Sequence, residues 1–243
     1  MKHLQHTSQR NQAIRPIPGK LNQAARNLAI TAFALAVICL FSSTNAAALF
    51  CPQPNVKCLS PILVDTDGSG FHLTSAKDGV VFDIEGNGHP LPISWTAAGS
   101  TNAFLALPHD GKITNGKELF GDFTPQPASD DPNGFLALAV YDKPENGGNG
   151  DGVIDDKDAI FPQLRLWIDR NHDGIAQPDE IYTLHELGVF SISLHYKESW
   201  RVDAYGNLFR YKSIINVTDK EADESHDGRT IYDVFFRSLG NIE

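Results

Sequence analysis

Oxygen-bearing side chains at alternate positions, a glycine at the sixth and a glutamate at the twelfth serve one chemistry, the wrapping of a hard divalent cation. Residues 169–180 (DRNHDGIAQPDE) carry that spacing in full. Asp169, Asn171 and Asp173 fill positions 1, 3 and 5, Gly174 supplies the sharp turn, and Ile175 offers its carbonyl at 7. Gln177 stands at 9, and Glu180 closes the loop at 12 with both carboxylate oxygens. Short polar side chains two residues apart point inward as the chain curls, and the longer glutamate reaches back from the turn that follows. A polar surface turn is the plain alternative, because Asn, Asp and Gly dominate turns. Such a turn has no need of six ligand positions in order.

Related turns recur along the chain. In residues 149–158, Asn149, Asp151, Gly152, Val153, Asp155 and Asp158 occupy positions 3, 5, 6, 7, 9 and 12. Strict counting puts Gly147 at position 1, where it offers no side-chain ligand. Asp142 takes that role if residues 143–146 bulge as an insertion, which Pro144 and the following Gly-Gly pair make sterically easy. Asp158 is shorter than a glutamate, so weaker binding is expected of this loop, which lies 22 residues before the next and in register with it. The turns at 65–70 (DTDGSG) and 83–88 (DIEGNG) are half-loops. Asp65, Asp67, Asp83 and Glu85 share an ion if the fold brings the two together; otherwise they are ordinary turns between strands. The turn at 109–113 (HDGKI) is a structural relic of the same pattern.

No catalytic set accompanies these loops. His185 and His195 have no Ser or Cys at a nucleophile motif, and the nine histidines lack zinc spacing.

The elements that must position the loops are mixed. Strands are predicted at 80–82, 103–107 and 164–168, and a helix over 133–140 entering the 142–158 loop. A second helix is predicted over 178–187, with Pro178 in its first turn and Gly188 ending it. Residues 189–196 alternate, with Phe190, Ile192, Leu194 and Tyr196 on one face. Gly206-Asn207 marks a hairpin between the Trp200 and Phe209 segments, and 208–217 and 230–236 complete the strands. Trp167 and Trp200 are expected in the core. The reading is an α+β fold: a strand-rich single domain over 61–237, with short helices and EF-hand-like strand-loop-helix calcium loops.

Composition and the N-terminus set the compartment. Residues 1–46 hold five basic residues and no acidic one, and an apolar run of 14 residues lies at 28–41 (LAITAFALAVICLF). Small residues follow at 42–48 (SSTNAAA). Basic, apolar and small in that order describe a signal peptide, cleaved after Ala46 or Ala48, and the run falls short of the ~20 residues of a membrane span. Export to the periplasm or medium is expected, with an uncleaved membrane anchor as the alternative. Without residues 1–46, 15 Lys and Arg stand against 30 Asp and Glu, a net charge of −15. That balance excludes nucleic acid, which needs basic patches, and favours cations. Cys51 and Cys58, seven apart in the segment 47–60, are expected to form a disulfide in an oxidising compartment. Residues 238–243 form a tail.

Five further motifs carry a resemblance: VDTDGSG at 64–70, GVVFD at 79–83, NGKELFG at 115–121, LRLWIDRNHDG at 164–174 and ELGV at 186–189. Over 61–236 the chain resembles the calcium-dependent self-processing module of secreted RTX-type proteins of Gram-negative bacteria and its stand-alone relatives. The resemblance implies an extracellular calcium-binding domain. Some members cleave an Asp-Pro bond just ahead of the first acidic turn, the aspartate attacking its own carbonyl to give an anhydride that water or a lysine captures. This chain departs there, because Ser60 precedes Pro61 and the carboxylate nucleophile is missing. Asp131-Pro132 is the only Asp-Pro pair and lies elsewhere. The expectation is an exported, non-catalytic calcium-binding protein, with an unidentified extracellular protein as a further partner to be sought. Two alternatives stand beside it: calcium-triggered self-cleavage at Asp131-Pro132, and a dockerin-like interaction module, suggested by the two loops in tandem.

Overall fold

The computed structural model describes residues 58–216 and 229–239, all within one compact unit spanning 47–243. The expected signal segment and Cys51 lie outside the described residues, and with Cys51 the expected disulfide. The described residues form twelve strands, in chain order β1 (Cys58–Leu59), β2 (Ile62–Asp65), β3 (Val80–Phe82), β4 (Leu91–Ile93), β5 (Asn102–Ala106), β6 (Val153–Ile154), β7 (Arg165–Trp167), β8 (Ile181–Thr183), β9 (Ile192–Ser193), β10 (Lys197–Val202), β11 (Leu208–Ile214) and β12 (Thr230–Arg237). Eight of them form one sheet in the order β10-β11-β12-β2-β5-β7-β8, with β1 also paired to β12. Every strand pair described is antiparallel.

Both faces of the sheet's central strands are covered, because side chains alternate along β2, β5 and β7 and both sets are apolar. Ile62, Val64, Ala103, Leu105 and Leu166 point into one core, which β6 and β9 cover through Ile154 and Ile192. Leu63, Phe104, Ala106, Trp167 and Phe236 point into the other, covered by the β3–β4 pair through Val80, Phe82 and Ile93. The result is a sandwich-like β fold, and the α+β expectation is overturned. The one α-helix among the described residues is α1 (Gly134–Leu138), started by Asn133, whose Oδ1 accepts from Leu136 N at 3.0 Å. No described helix is long and apolar enough to cross a membrane.

The strand-loop-helix form of the 169–180 loop is overturned as well. Pro178 does open a turn, but it is a single 3₁₀ turn (Pro178–Glu180) that passes directly into β8. Leu166 pairs with Tyr182 and Trp167 with Ile181, so the chain leaves the loop as a strand and folds back on the strand that entered it. Ile, Tyr and Thr suit a pleated surface, and the available partner strand decides the outcome. Gly188 stops the next 3₁₀ turn (His185–Leu187) at φ 68°. The alternating stretch at 189–196 yields only β9, with Phe190 59% exposed. Trp200 is 56% exposed on β10, under the Arg210 guanidinium, and is not core. The Gly206-Asn207 hairpin joins β10 to β11 as expected.

Candidate metal centre

In residues 169–180 the carboxylates are fixed by backbone donors. Asp169 Oδ2 accepts from Gly174 N at 2.8 Å and its Oδ1 from Asp173 N at 3.2 Å. Asp173 Oδ1 accepts from Ile175 N at 2.8 Å. Glu180 Oε1 accepts from Arg170 N at 2.8 Å and its Oε2 from Gln177 N at 3.4 Å, closing the loop end to end. The amides of Asn171 and Gln177 both donate to Asp173 Oδ2 at 2.8 Å, so three oxygen-bearing side chains meet at one point. A half-turn of either amide exchanges its nitrogen for its oxygen. As it stands, Gln177 presents Nε2, not Oε1, to Asp173 Oδ2.

The loop at 142–158 repeats this network. Asp142 Oδ2 accepts from Gly152 N at 3.0 Å, as Asp169 does from Gly174. Asn149 Nδ2 donates to Asp151 Oδ2 at 2.8 Å, matching Asn171 and Asp173. Asp151 Oδ1 accepts from Val153 N at 3.0 Å, matching Asp173 and Ile175. Asp158 Oδ2 accepts from Asp155 N at 2.9 Å, matching Glu180 and Gln177. Asp142 therefore stands at position 1, and the insertion is taken up by a 3₁₀ turn (Pro144–Asn146) that Gly147 ends at φ 87°. Burial, with the Asp142 and Asp155 carboxylates nearby, lifts the Asp158 carboxyl above its usual range. Lys157 Nζ sits 2.8 Å from Asp155 Oδ2 and 3.8 Å from Asp151 Oδ2, a cation held beside two candidate ligands.

The half-loops share only the opening of the motif. Asp65 accepts from Gly68 N and Gly70 N at 3.0 and 2.8 Å, and Asp83 from Asn87 N and Gly88 N at 3.1 and 2.8 Å. Asp67 Oδ1 accepts from Ser69 N at 2.9 Å, and Glu85 Oε2 from Asn87 Nδ2 at 3.0 Å. The first turn packs by Asn102, whose Nδ2 donates to Gly70 O, and the second by Lys117, whose Nζ donates to Gly86 O. Asn102 and Lys117 thus anchor the two turns separately. At 109–113, His109 and Lys112 exchange backbone hydrogen bonds at 3.0 and 2.9 Å across a two-residue hairpin turn.

Among the described residues, no three His, Cys, Asp or Glu side chains converge into a cation cage by themselves. The donor set of either loop fits calcium only as a whole, with amide and carbonyl oxygens between the carboxylates. Nor do the two loops form a pair. Ile154, at position 8 of the first, bonds to Ile192, whereas Ala176, at position 8 of the second, packs on the aromatic core.

Two contributors carried no signal in the sequence beyond their being tryptophans. Trp95 Nε1 donates to Asp169 Oδ2 at 2.7 Å from 74 residues away, and Trp167 Nε1 to Glu180 Oε2 at 3.4 Å. His172, at position 4 with φ 60°, anchors the loop through Thr96 O at 2.6 Å and Asp78 O at 2.8 Å. Asp131, of the Asp-Pro pair, is 63% exposed at its side chain and paired with Arg210 Nη2 at 2.8 Å.

The chain is similar to the iron-regulated protein FrpA of Neisseria meningitidis serogroup C, with 37% identity over 162 residues, which is 65% of this chain and 14% of that protein. The family model for the SPM domain matches residues 62–236, from the first residue of β2 into β12 and through both loops, and the chain belongs to that family.

Proposed function

We propose that this SPM domain is an exported, non-catalytic calcium-binding module in which the ion acts as a folding ligand. The observation that carries the reading is the repeated network of the two loops, in which the hydrogen bonds of Asp169, Asp173 and Glu180 recur at Asp142, Asp151 and Asp158. Asp169, Asn171, Asp173, Gln177 and Glu180 would hold calcium by their side chains and Ile175 by its carbonyl. Asp142, Asn149, Asp151, Asp155 and Asp158, with the carbonyl of Val153, form the second set. Calcium supplies positive charge that carboxylates crowded into one turn need. The resemblance to modules of secreted RTX-type proteins and the net charge of −15 without residues 1–46 support an extracellular setting.

Self-cleavage is left out of the proposal on chemical grounds. Ser60 precedes Pro61, and the Asp131 carboxylate is drawn towards Arg210. Calorimetry of the purified chain with calcium is the test, with fragment masses recorded afterwards. Uptake of at least two ions with an intact mass is the expected result. Absence of a binding heat would overturn the calcium reading, and calcium-dependent fragments would overturn the non-catalytic one.

A further inference from the structure

We propose that Trp95 and Trp167 are positioning residues for the 169–180 site, their indole N–H groups orienting the first and last carboxylates of the loop. The proposal rests on the calcium reading above and deepens it. Both indoles are fully buried, as is Asp169, and Glu180 is 4% exposed. Trp95 Nε1 bonds Asp169 Oδ2 at 2.7 Å, and Trp167 Nε1 bonds Glu180 Oε2 at 3.4 Å.

An indole N–H is a donor only and cannot ligate a cation. It fixes one carboxylate oxygen and thereby sets where the other stands. Asp169 Oδ2 is saturated by Trp95 and Gly174, whereas Oδ1 has a single long bond from Asp173 N at 3.2 Å. Oδ1 is thereby the oxygen left for an ion.

The rings themselves cannot easily shift. Their centroids lie 5.6 Å apart, and Phe104 packs 4.4 Å from Trp95 and 5.2 Å from Trp167. Trp95 is tied to the chain by Thr74, whose N–H donates to Trp95 O at 2.8 Å and whose hydroxyl accepts from Trp95 N at 3.1 Å. The loop docks on the same segment a second and a third time, through His172 to Thr96 O at 2.6 Å and through Gly99 N to Arg170 O at 2.9 Å. Ion occupancy is thus linked mechanically to the aromatic core beneath β3 and β4.

Trp95→Phe keeps the ring and deletes the donor. In a background carrying Trp200→Phe, to remove the exposed indole, the full chain is titrated with calcium by calorimetry, and near-ultraviolet circular dichroism is recorded with and without the ion. Trp95→Phe is expected to weaken one site about tenfold, with a smaller effect for Trp167→Phe, whose bond is longer, and no change at the other site. In the background protein calcium is expected to alter the tryptophan bands. A merely structural role would lower the melting temperature in chelator while leaving affinity and bands unchanged. Folded Trp95→Phe protein with unaltered affinity overturns the positioning role alone. Should that variant not fold, calcium-insensitive bands in the background protein overturn it. No calcium uptake by the background protein overturns both this inference and the reading beneath it.

Discussion

Ser60 and Asp122 bond reciprocally: Ser60 N donates to Asp122 Oδ1 at 2.9 Å, and Asp122 N donates back to Ser60 Oγ at 3.0 Å. The pair is locked from outside, because a side chain at Gly121 would place its Cβ 1.7 Å from Ser60 O. Beside it lies Asp233 of β12, fully buried, with Oδ2 accepting from Gly134 N at 2.8 Å and Oδ1 without a partner. Burial lifts both carboxyls to about 7, Asp122 helped by the charge of Asp233, while the Ser60 and Gly134 N–H groups and Arg210 partly oppose the shift.

Stability should therefore fall as pH rises through that range. The unfolded chain loses these protons near the ordinary aspartate value of about 3.9. Between that value and about 7 the folded state holds more protons, so folding loses ground with each step upward and levels off above. Asp233→Asn, a neutral isostere, should flatten this slope and raise stability at pH 8 relative to the parent. Melts in chelator from pH 4 to pH 8 provide the measurement, each kcal/mol amounting to about 2–4 °C in a domain of this size. Parallel curves for parent and variant would contradict the assignment.

Glu180→Ala should damage calcium binding more than any other single change. The side chain closes the 169–180 loop by accepting from Arg170 N at 2.8 Å and reaches further than Asp158, the shorter acid at position 12 of the other loop. A loss of at least about tenfold in affinity, ~1.4 kcal/mol, is expected at one site. An unchanged count and affinity of sites by calorimetry would remove the loop from the model of function.

Loop spacing was legible because it is local. Asp142, placed at position 1 by supposing an insertion, accepts from Gly152 N as Asp169 does from Gly174 N, since a 3₁₀ turn and Gly147 absorb the extra residues. The exit from the 169–180 loop was not legible. Pro178 and Gly188 gave the outline of a helix, yet pairing of Ile181 with Trp167 made a strand, and that pairing depends on where β7 stands. Trp95 was invisible for the same reason: nothing near residue 95 in the sequence points to Asp169. The α+β reading failed because the predicted 178–187 helix is two 3₁₀ turns, Pro178–Glu180 and His185–Leu187, with β8 between them.

Lys157 should compete with calcium at the 142–158 loop. Its ammonium pairs with Asp155 at 2.8 Å and approaches Asp151 at 3.8 Å, both candidate ligands. The Asp155 hydrogen bonds and charge hold the lysine pKa above its ordinary value, so it remains charged while the ion enters. Lys157→Gln is expected to strengthen that site by a few-fold and to leave the 169–180 site as it was. Calorimetry at two salt concentrations checks it, because the difference should shrink as salt screens the exposed pair. Weaker binding in the variant would show that Lys157 supports the loop instead.

Calcium should act on folding, since the loops are continuous with the cores. The 169–180 loop joins β7 to β8 at one end of the main sheet, and residues flanking the 142–158 loop, Tyr141 and Ile160, pack into the opposite core. Repulsion among the carboxylates without the ion therefore falls on the sheet. Extracellular calcium modules bind with Kd on the order of 10⁻⁴–10⁻³ M, and a site held at 100 times its Kd adds about 2.7 kcal/mol to the folded state. That is a large share of the ~5–15 kcal/mol of an ordinary domain. A sensor's switch would need a groove to uncover, and the methionine-rich surface such grooves use has no counterpart in a chain whose single methionine is Met1. The melting temperature should rise by several degrees between chelator and millimolar calcium, and far less with magnesium, which demands a tighter octahedral shell. Identical melts in chelator and calcium would show that the loops hold their shape by hydrogen bonds alone.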